Sequence, residues 1–192
     1  MKGSHGVPDA PDIRTLSTRE VYTNRWMRVR EDAILRSDGS RGIYGVVEKA
    51  DFATVIPLGS EGITMVEQYR YTVGGRYWEF PQGSKEEGSY APEELARAEL
   101  REETGLTADR IEEIGTLFTA YGYSTQRYRV FVATGLTPGS ASLDPEELDL
   151  ISRTFPVAEV ERMILSGEIR DASTVAAFGL LKMRGLAETP ET

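Results

Sequence analysis

Apolar and polar positions alternate through much of the first half of the chain and give way to helical spacing in three later stretches. Between residues 20 and 36, VYTNRWMRVREDAIL alternates enough to predict a pair of strands, followed by a Ser37-Asp38-Gly39-Ser40 turn; residues 42–48 (GIYGVVE) read as another strand. Residues 53–58 and 63–69 are predicted strands joined through Gly59-Ser60-Glu61-Gly62, and 77–80 lead into Pro81-Gln82-Gly83. Further on, 111–118 and 128–133 are strand-like, separated by the loop 119–126 (TAYGYSTQ). The first helical stretch opens at Ser89 or at Tyr90-Ala91, with Pro92 in its first turn. Glu93 and Glu94 suit its positive end, and Gly105 can stop it in a left-handed conformation. A second helix over 157–166 is apolar at Val157, Val160 and Ile164, while Glu159 and Glu161 keep one face wet. A third, 172–184, is capped by Asp171 and apolar at Val175, Ala176, Phe178, Leu180 and Leu181. Strands interleaved with helices predict an α/β fold with a mixed sheet, preceded by a small β unit. The expected partition is a disordered leader at 1–15, the β unit at 16–48, the main domain at 49–185 and a tail at 186–192. There are no internal repeats.

Composition narrows the chemistry. With 192 residues the chain suits one main domain with a small appendage. A net charge of −9 argues against an electrostatic grip on nucleic acid or on an anionic membrane. The absence of cysteine excludes disulfides, zinc thiolates and thiol nucleophiles, and the single His5 lies in a Gly/Ser/Pro-rich start that reads as tail. No stretch has the length and apolarity of a membrane span or of a signal core, so a cytoplasmic location is expected.

Glu99, Glu102 and Glu103 stand at i, i+3 and i+4 of the first helix, so all three carboxylates share one face. Like charges at that spacing repel. A solvated acidic face is one reading; a hard divalent cation, Mg²⁺ above all and Mn²⁺ next, is the other, because such ions take carboxylate oxygens and keep waters for a phosphate-bearing substrate.

The whole string GSKEEGSYAPEELARAELREETGL, residues 83–106, resembles the signature of the Nudix hydrolases: a loop glycine, a glutamate, then Arg-Glu-U-x-Glu-Glu-x-Gly-U, where U is aliphatic. Glu99, Leu100, Glu102, Glu103, Gly105 and Leu106 fall in place. Two departures stand out. Ala98 occupies the family's arginine position, with Arg97 one residue earlier. Gly83 lies sixteen residues before Glu99, one more than the pattern has, so the loop glutamate has no unique counterpart among Glu86 and Glu87. The resemblance implies the Nudix fold, an α/β/α sandwich, with Glu99, Glu102 and Glu103 as metal ligands and the latter two as part of the catalytic set.

VEQYRY (66–71), WEFPQG (78–83) and GEIRDAST (167–174) are similar to elements of the ADP-sugar branch of that family. By that resemblance the Gln82 backbone carbonyl is a further metal ligand. Arg70, Glu79, Trp26 and Tyr121 are substrate-binding, with Arg70 on the diphosphate. Tyr121 stands where the branch has a proline, and a tyrosine there is reminiscent of dinucleoside-polyphosphate hydrolases; packing on the domain is its plainer reading. A general base is expected in DPEELD (144–149), where Glu147 is the choice over Glu146 and Asp149. The implied activity is Mg²⁺-dependent hydrolysis of a nucleoside diphosphate sugar, ADP-ribose first, to a nucleoside monophosphate and a sugar phosphate. The alternatives are a dinucleoside-polyphosphate hydrolase and a non-catalytic nucleotide-sugar-binding module. A homodimer is expected through the N-terminal unit, with Trp26, Tyr44 and Phe52 supplying aromatic area.

Overall fold

Alternating positions become paired strands in the computed structural model of the chain, which describes residues 12–84, 90–143 and 149–187. Two units separate by their internal contacts, 1–49 with 120–126, and 50–119 with 127–192.

In the first unit β1 (Ile13–Thr23), β2 (Arg28–Arg36) and β3 (Arg41–Glu48) form an antiparallel meander in that order. Strand β1 starts inside the stretch expected to be a leader, and residues 13–15 are already paired with 34–36. Its missing sequence signal is physical: every residue of β1 is exposed, so no apolar face marks it, and the backbone ladder to β2 makes it a strand. The β1–β2 turn is held by Asn24, whose Oδ1 accepts from the Trp26 and Met27 amides at 2.9 and 2.8 Å. The 120–126 segment, expected as a loop of the main domain, docks here. The Val47 N–H donates to Tyr123 O at 2.7 Å, and the Thr125 N–H to Val47 O at 3.1 Å.

The second unit is a sandwich. Strands β4 (Phe52–Gly59), β5 (Gly62–Arg70), β8 (Leu106–Phe118), β9 (Arg127–Pro138) and β10 (Ile151–Phe155) lie in the order β10-β5-β4-β9-β8. Strand β6 (Gly75–Glu79) pairs β5, and the two-residue β7 (Gln82–Gly83) pairs β4. The β4–β9 pair is parallel and the others antiparallel, so the sheet is mixed. Period-two alternation sends each central strand into two cores. Ala53, Val55, Phe131 and Ala133 pack with Ala96 and Leu100 of α1 (Pro92–Thr104). Ile56, Leu58, Val130 and Val132 pack with Val160 and Met163 of α2 (Val157–Ser166) and with Ala177, Phe178 and Leu181 of α3 (Ala172–Met183). Leu100 is 1 % exposed; truncating such a side chain to alanine costs about 2–5 kcal/mol.

Three features differ from the expected pattern. β8 and β9 extend to Leu106 and Pro138, where their outer thirds pair with each other and Leu106, Ala108 and Leu136 pack at the margin of the core beneath α1. β10 was not anticipated: ISRTF has one buried residue, Phe155, and is a strand because it pairs β5. Phe52 is not surface aromatic area of the N-terminal unit. It begins β4 and stacks on Tyr128 in the main core, with ring centroids 5.0 Å apart. Among the described residues no helix is long and apolar enough to cross a membrane.

Candidate active site

Helix α1 is built as its sequence predicts. Pro92 sits in its first turn after Ala91, the Glu94 carboxylate accepts from the Ala91 amide at 2.9 Å, and Gly105 ends it at φ +73°. Position 105 also needs space, because a Cβ there would stand 2.7 Å from Ala141 N. The chain leaving β9 crosses the helix end at this point, and the Ser142 N–H donates to Glu102 O at 3.0 Å.

The inner face of α1 presents Glu99 and Glu103, 5 % and 1 % exposed, to strand β7; Glu102 is half-buried. Glu103 Oε2 accepts from the Gln82 amide at 3.3 Å. The Glu99 carboxylate lies so close to Gly83 that a Cβ there would meet Oε2 at 2.4 Å, Cδ at 2.5 Å and Oε1 at 2.6 Å. Two buried carboxylates thus rest against the main chain of a glycine-containing turn. The donors are all oxygen, and the space beside them exists because position 83 has no side chain. That set fits a hard divalent cation and not a soft one. Among the described residues no three His, Cys, Asp or Glu side chains come together as a group that could hold a metal ion. An open arrangement of this kind suits an ion that takes its other ligands from water and substrate oxygens.

Next to this turn lies a polar network. Glu79, 2 % exposed, is gripped by Arg70, with Nε to Oε2 at 3.2 Å and Nη2 to Oε1 at 2.5 Å. Gln82 Nε2 donates to Glu79 Oε2 at 3.2 Å, and the Ser173 hydroxyl approaches Gln82 Oε1 at 3.0 Å and Asp171 Oδ2 at 2.5 Å. Burial outweighs the Arg70 guanidinium and pushes the Glu79 carboxyl up to about 7. Asp171 caps α3 through the Thr174 amide, and Thr174 Oγ1 accepts from the Phe80 amide at 3.0 Å. GEIRDAST was legible as an element, but the contacts of Ser173 and Thr174 with the turn at 79–83 were not, because neighbours across the fold leave no spacing in the sequence.

The other candidate residues fall elsewhere. Arg97 does not stand in for the missing arginine. Its guanidinium goes to Glu93 Oε1 at 2.9 Å and to Ala108 O at 2.9 Å, tying α1 to β8, while Ala98 is buried. Trp26 and Tyr121 both belong to the first unit. Trp26 is 57 % exposed with the Arg25 guanidinium 4.1 Å from its ring centroid, and Tyr121 is 85 % exposed. Glu146, Glu147, Glu86 and Glu87 lie outside the described residues. Asp149 is described, and its carboxylate is held by Arg76 Nη1 at 2.6 Å, while Arg76 Nε bonds Glu67 at 2.9 Å. Arg76 carried no sequence signal.

Comparison with known proteins agrees with this geometry. Residues 13–47 match the nucleoside diphosphate sugar hydrolase N-terminal domain, and residues 49–178 match the NUDIX domain. The chain is 34 % identical to the ADP-ribose pyrophosphatase of Mycobacterium tuberculosis over 177 residues, 91 % of this chain and 84 % of that protein. It is 25 % identical to the ADP-ribose pyrophosphatase of Bacillus subtilis, over 89 % of this chain and 93 % of that protein. A crystal structure of an ADP compounds hydrolase shares the fold, with a TM-score of 0.80 at 22 % identity over 92 % of this chain and 97 % of that one. With the signature carboxylates, the sandwich and both domain matches in agreement, the chain belongs to the Nudix hydrolases, in the form that carries a nucleoside diphosphate sugar hydrolase N-terminal domain ahead of the NUDIX domain.

Proposed function

We propose that this enzyme hydrolyses the diphosphate bridge of a nucleoside diphosphate sugar, ADP-ribose first, releasing a nucleoside monophosphate and a sugar phosphate with Mg²⁺ as its ion. The observation that carries the reading is the pair of buried carboxylates, Glu99 and Glu103, seated against the Gln82–Gly83 turn. The substrate class is supported by relatives named ADP-ribose pyrophosphatase and GDP-mannose pyrophosphatase, which share a diphosphate between nucleoside and sugar.

A diphosphate resists hydrolysis because its anionic oxygens repel an incoming water. A divalent cation bound here would supply the charge that offsets this repulsion and makes the attacking water more acidic. The side chains of Glu99, Glu102 and Glu103 and the Gln82 carbonyl would hold it. Arg70 keeps its Nε and Nη2 on Glu79, so the Nη1 side meets the diphosphate. Glu79 thereby orients Arg70 instead of binding substrate on its own. Glu147 takes the proton of the attacking water. The working form is a cytoplasmic homodimer, joined over the exposed apolar side chains of the first unit, Val21, Tyr22, Ile43 and Tyr44 among them; light scattering at micromolar concentration reads this directly.

The test is a panel of ADP-ribose, GDP-mannose and a diadenosine polyphosphate, each with Mg²⁺, with products separated by chromatography. AMP and ribose 5-phosphate from ADP-ribose are expected. Saturable binding without turnover would replace the enzyme by a binding module. Cleavage of the dinucleotide alone would move it to the dinucleoside-polyphosphate hydrolases.

A further inference from the structure

Strand β7 faces the carboxylates of α1 but has little of its own to hold it there. It pairs β4 through two residue pairs, Ala53–Gly83 and Thr54–Gln82, continued by the Val55 N–H donating to Pro81 O at 2.9 Å. Gly83 has no side chain and Ser84 is exposed. Gln82 is therefore the residue at which a side chain can fix this strand, and it uses both ends of its amide. Nε2 reaches Glu79 at the end of β6, and Oε1 lies 3.0 Å from the Ser173 hydroxyl in the first turn of α3; the single proton of that hydroxyl is shared between Gln82 Oε1 and Asp171 Oδ2. The main-chain N–H of the same residue donates to Glu103. A shift of the side chain thus moves the main chain that lies against the acidic helix. The same turn of α3 holds the chain two residues earlier, where Thr174 accepts from the Phe80 amide.

We propose that the Gln82 side chain, braced by Ser173, is a positioning residue for the cation site: a strut that holds the main chain of β7 in register with Glu99 and Glu103. The inference rests on the reading of those carboxylates as holders of the ion. It assigns to an ordinary side-chain amide, and to the first turn of α3, a role in ion affinity that the signature helix does not contain. A shorter side chain at position 82 could not span from Glu79 to Ser173.

The experiment is Mn²⁺ binding to the metal-free full-length protein, read by electron paramagnetic resonance, with melting curves for every variant. Gln82→Ala should weaken Mn²⁺ binding about tenfold, the low end of what partners that orient metal ligands contribute. Ser173→Ala should weaken it in the same direction, and the double variant should be no weaker than Gln82→Ala, since both cut one strut. Ser173→Thr, which keeps the hydroxyl, should restore affinity toward wild type. In turnover assays the loss should appear in kcat at limiting metal and recover as metal is raised, with KM for the nucleotide sugar unchanged. Thr154→Val, which removes the Thr64–Thr154 hydroxyl pair on the edge strand β10, controls for general loosening and should leave Mn²⁺ affinity alone. Wild-type Mn²⁺ affinity in Gln82→Ala and Ser173→Ala, alongside a loss in Glu103→Gln, overturns the strut and leaves the ion site standing. Unchanged affinity in Glu103→Gln as well overturns both. If Gln82→Ala fails to fold, the Ser173→Ala and Ser173→Thr pair decides alone.

Discussion

Gly83 is a glycine because Glu99 occupies the place its side chain would take: a Cβ there would stand 2.4 Å from Glu99 Oε2. Its φ is not positive, so the requirement is for room and not for a special backbone conformation. Gly83→Ala must push either the carboxylate or β7 aside. The expected outcome is a folded protein whose turnover falls by on the order of tenfold or more and whose Mn²⁺ affinity falls with it. Wild-type kinetics in this variant would show that the approach of Glu99 to the turn is not needed.

Glu103 is 1 % exposed and accepts the Gln82 amide. Glu103→Gln keeps the size and an acceptor oxygen but removes the charge, so the fold should persist while turnover drops by roughly 10²-fold or more. Excess EDTA should abolish wild-type activity, and Mg²⁺ should restore it. Full activity in EDTA would remove the divalent ion from the mechanism.

Within the acidic segment 144–149, Asp149 is engaged by Arg76, which makes it an anchor. Glu147→Gln is expected to lower kcat by roughly 10²–10⁴-fold, the usual span for a general base, with Mn²⁺ affinity unchanged. Glu146→Gln and Asp149→Asn should cost only a few-fold. A large loss confined to Asp149→Asn would reverse that assignment.

Glu79 links stability to pH. Its folded carboxyl titrates at about 7 against a reference of 4.5, chiefly through burial. The native state therefore holds an extra proton between those values. The stabilisation that proton brings is complete below the unfolded pKa and is lost as pH rises through the folded one. Metal-free wild type should lose up to about 3 kcal/mol between pH 5 and pH 8 relative to Glu79→Gln. Urea midpoints at the two pH values measure it. Equal changes in both proteins would show that Glu79 stays ionised beside Arg70 throughout.

Sequence alone was enough where the physics is local. The i, i+3, i+4 spacing put Glu99, Glu102 and Glu103 on one helix face, Pro92 and Gly105 marked the ends of that helix, and Asp171 marked the start of the last one. A near-continuous apolar run was enough for β4 and β5, which are buried on both faces. Tertiary structure decided everything that depends on a partner distant in the chain. Strands β1 and β10 bury almost nothing and exist through their ladders. The 120–126 segment joined the N-terminal unit through Val47, and Phe52 went to the core through Tyr128. Arg70, Glu79, Gln82 and Ser173 were drawn into one network over ninety residues apart at the extremes. Hydrogen bonds between such residues are made by the register of β7 against α1 and α3, and no periodicity within any single segment encodes that register.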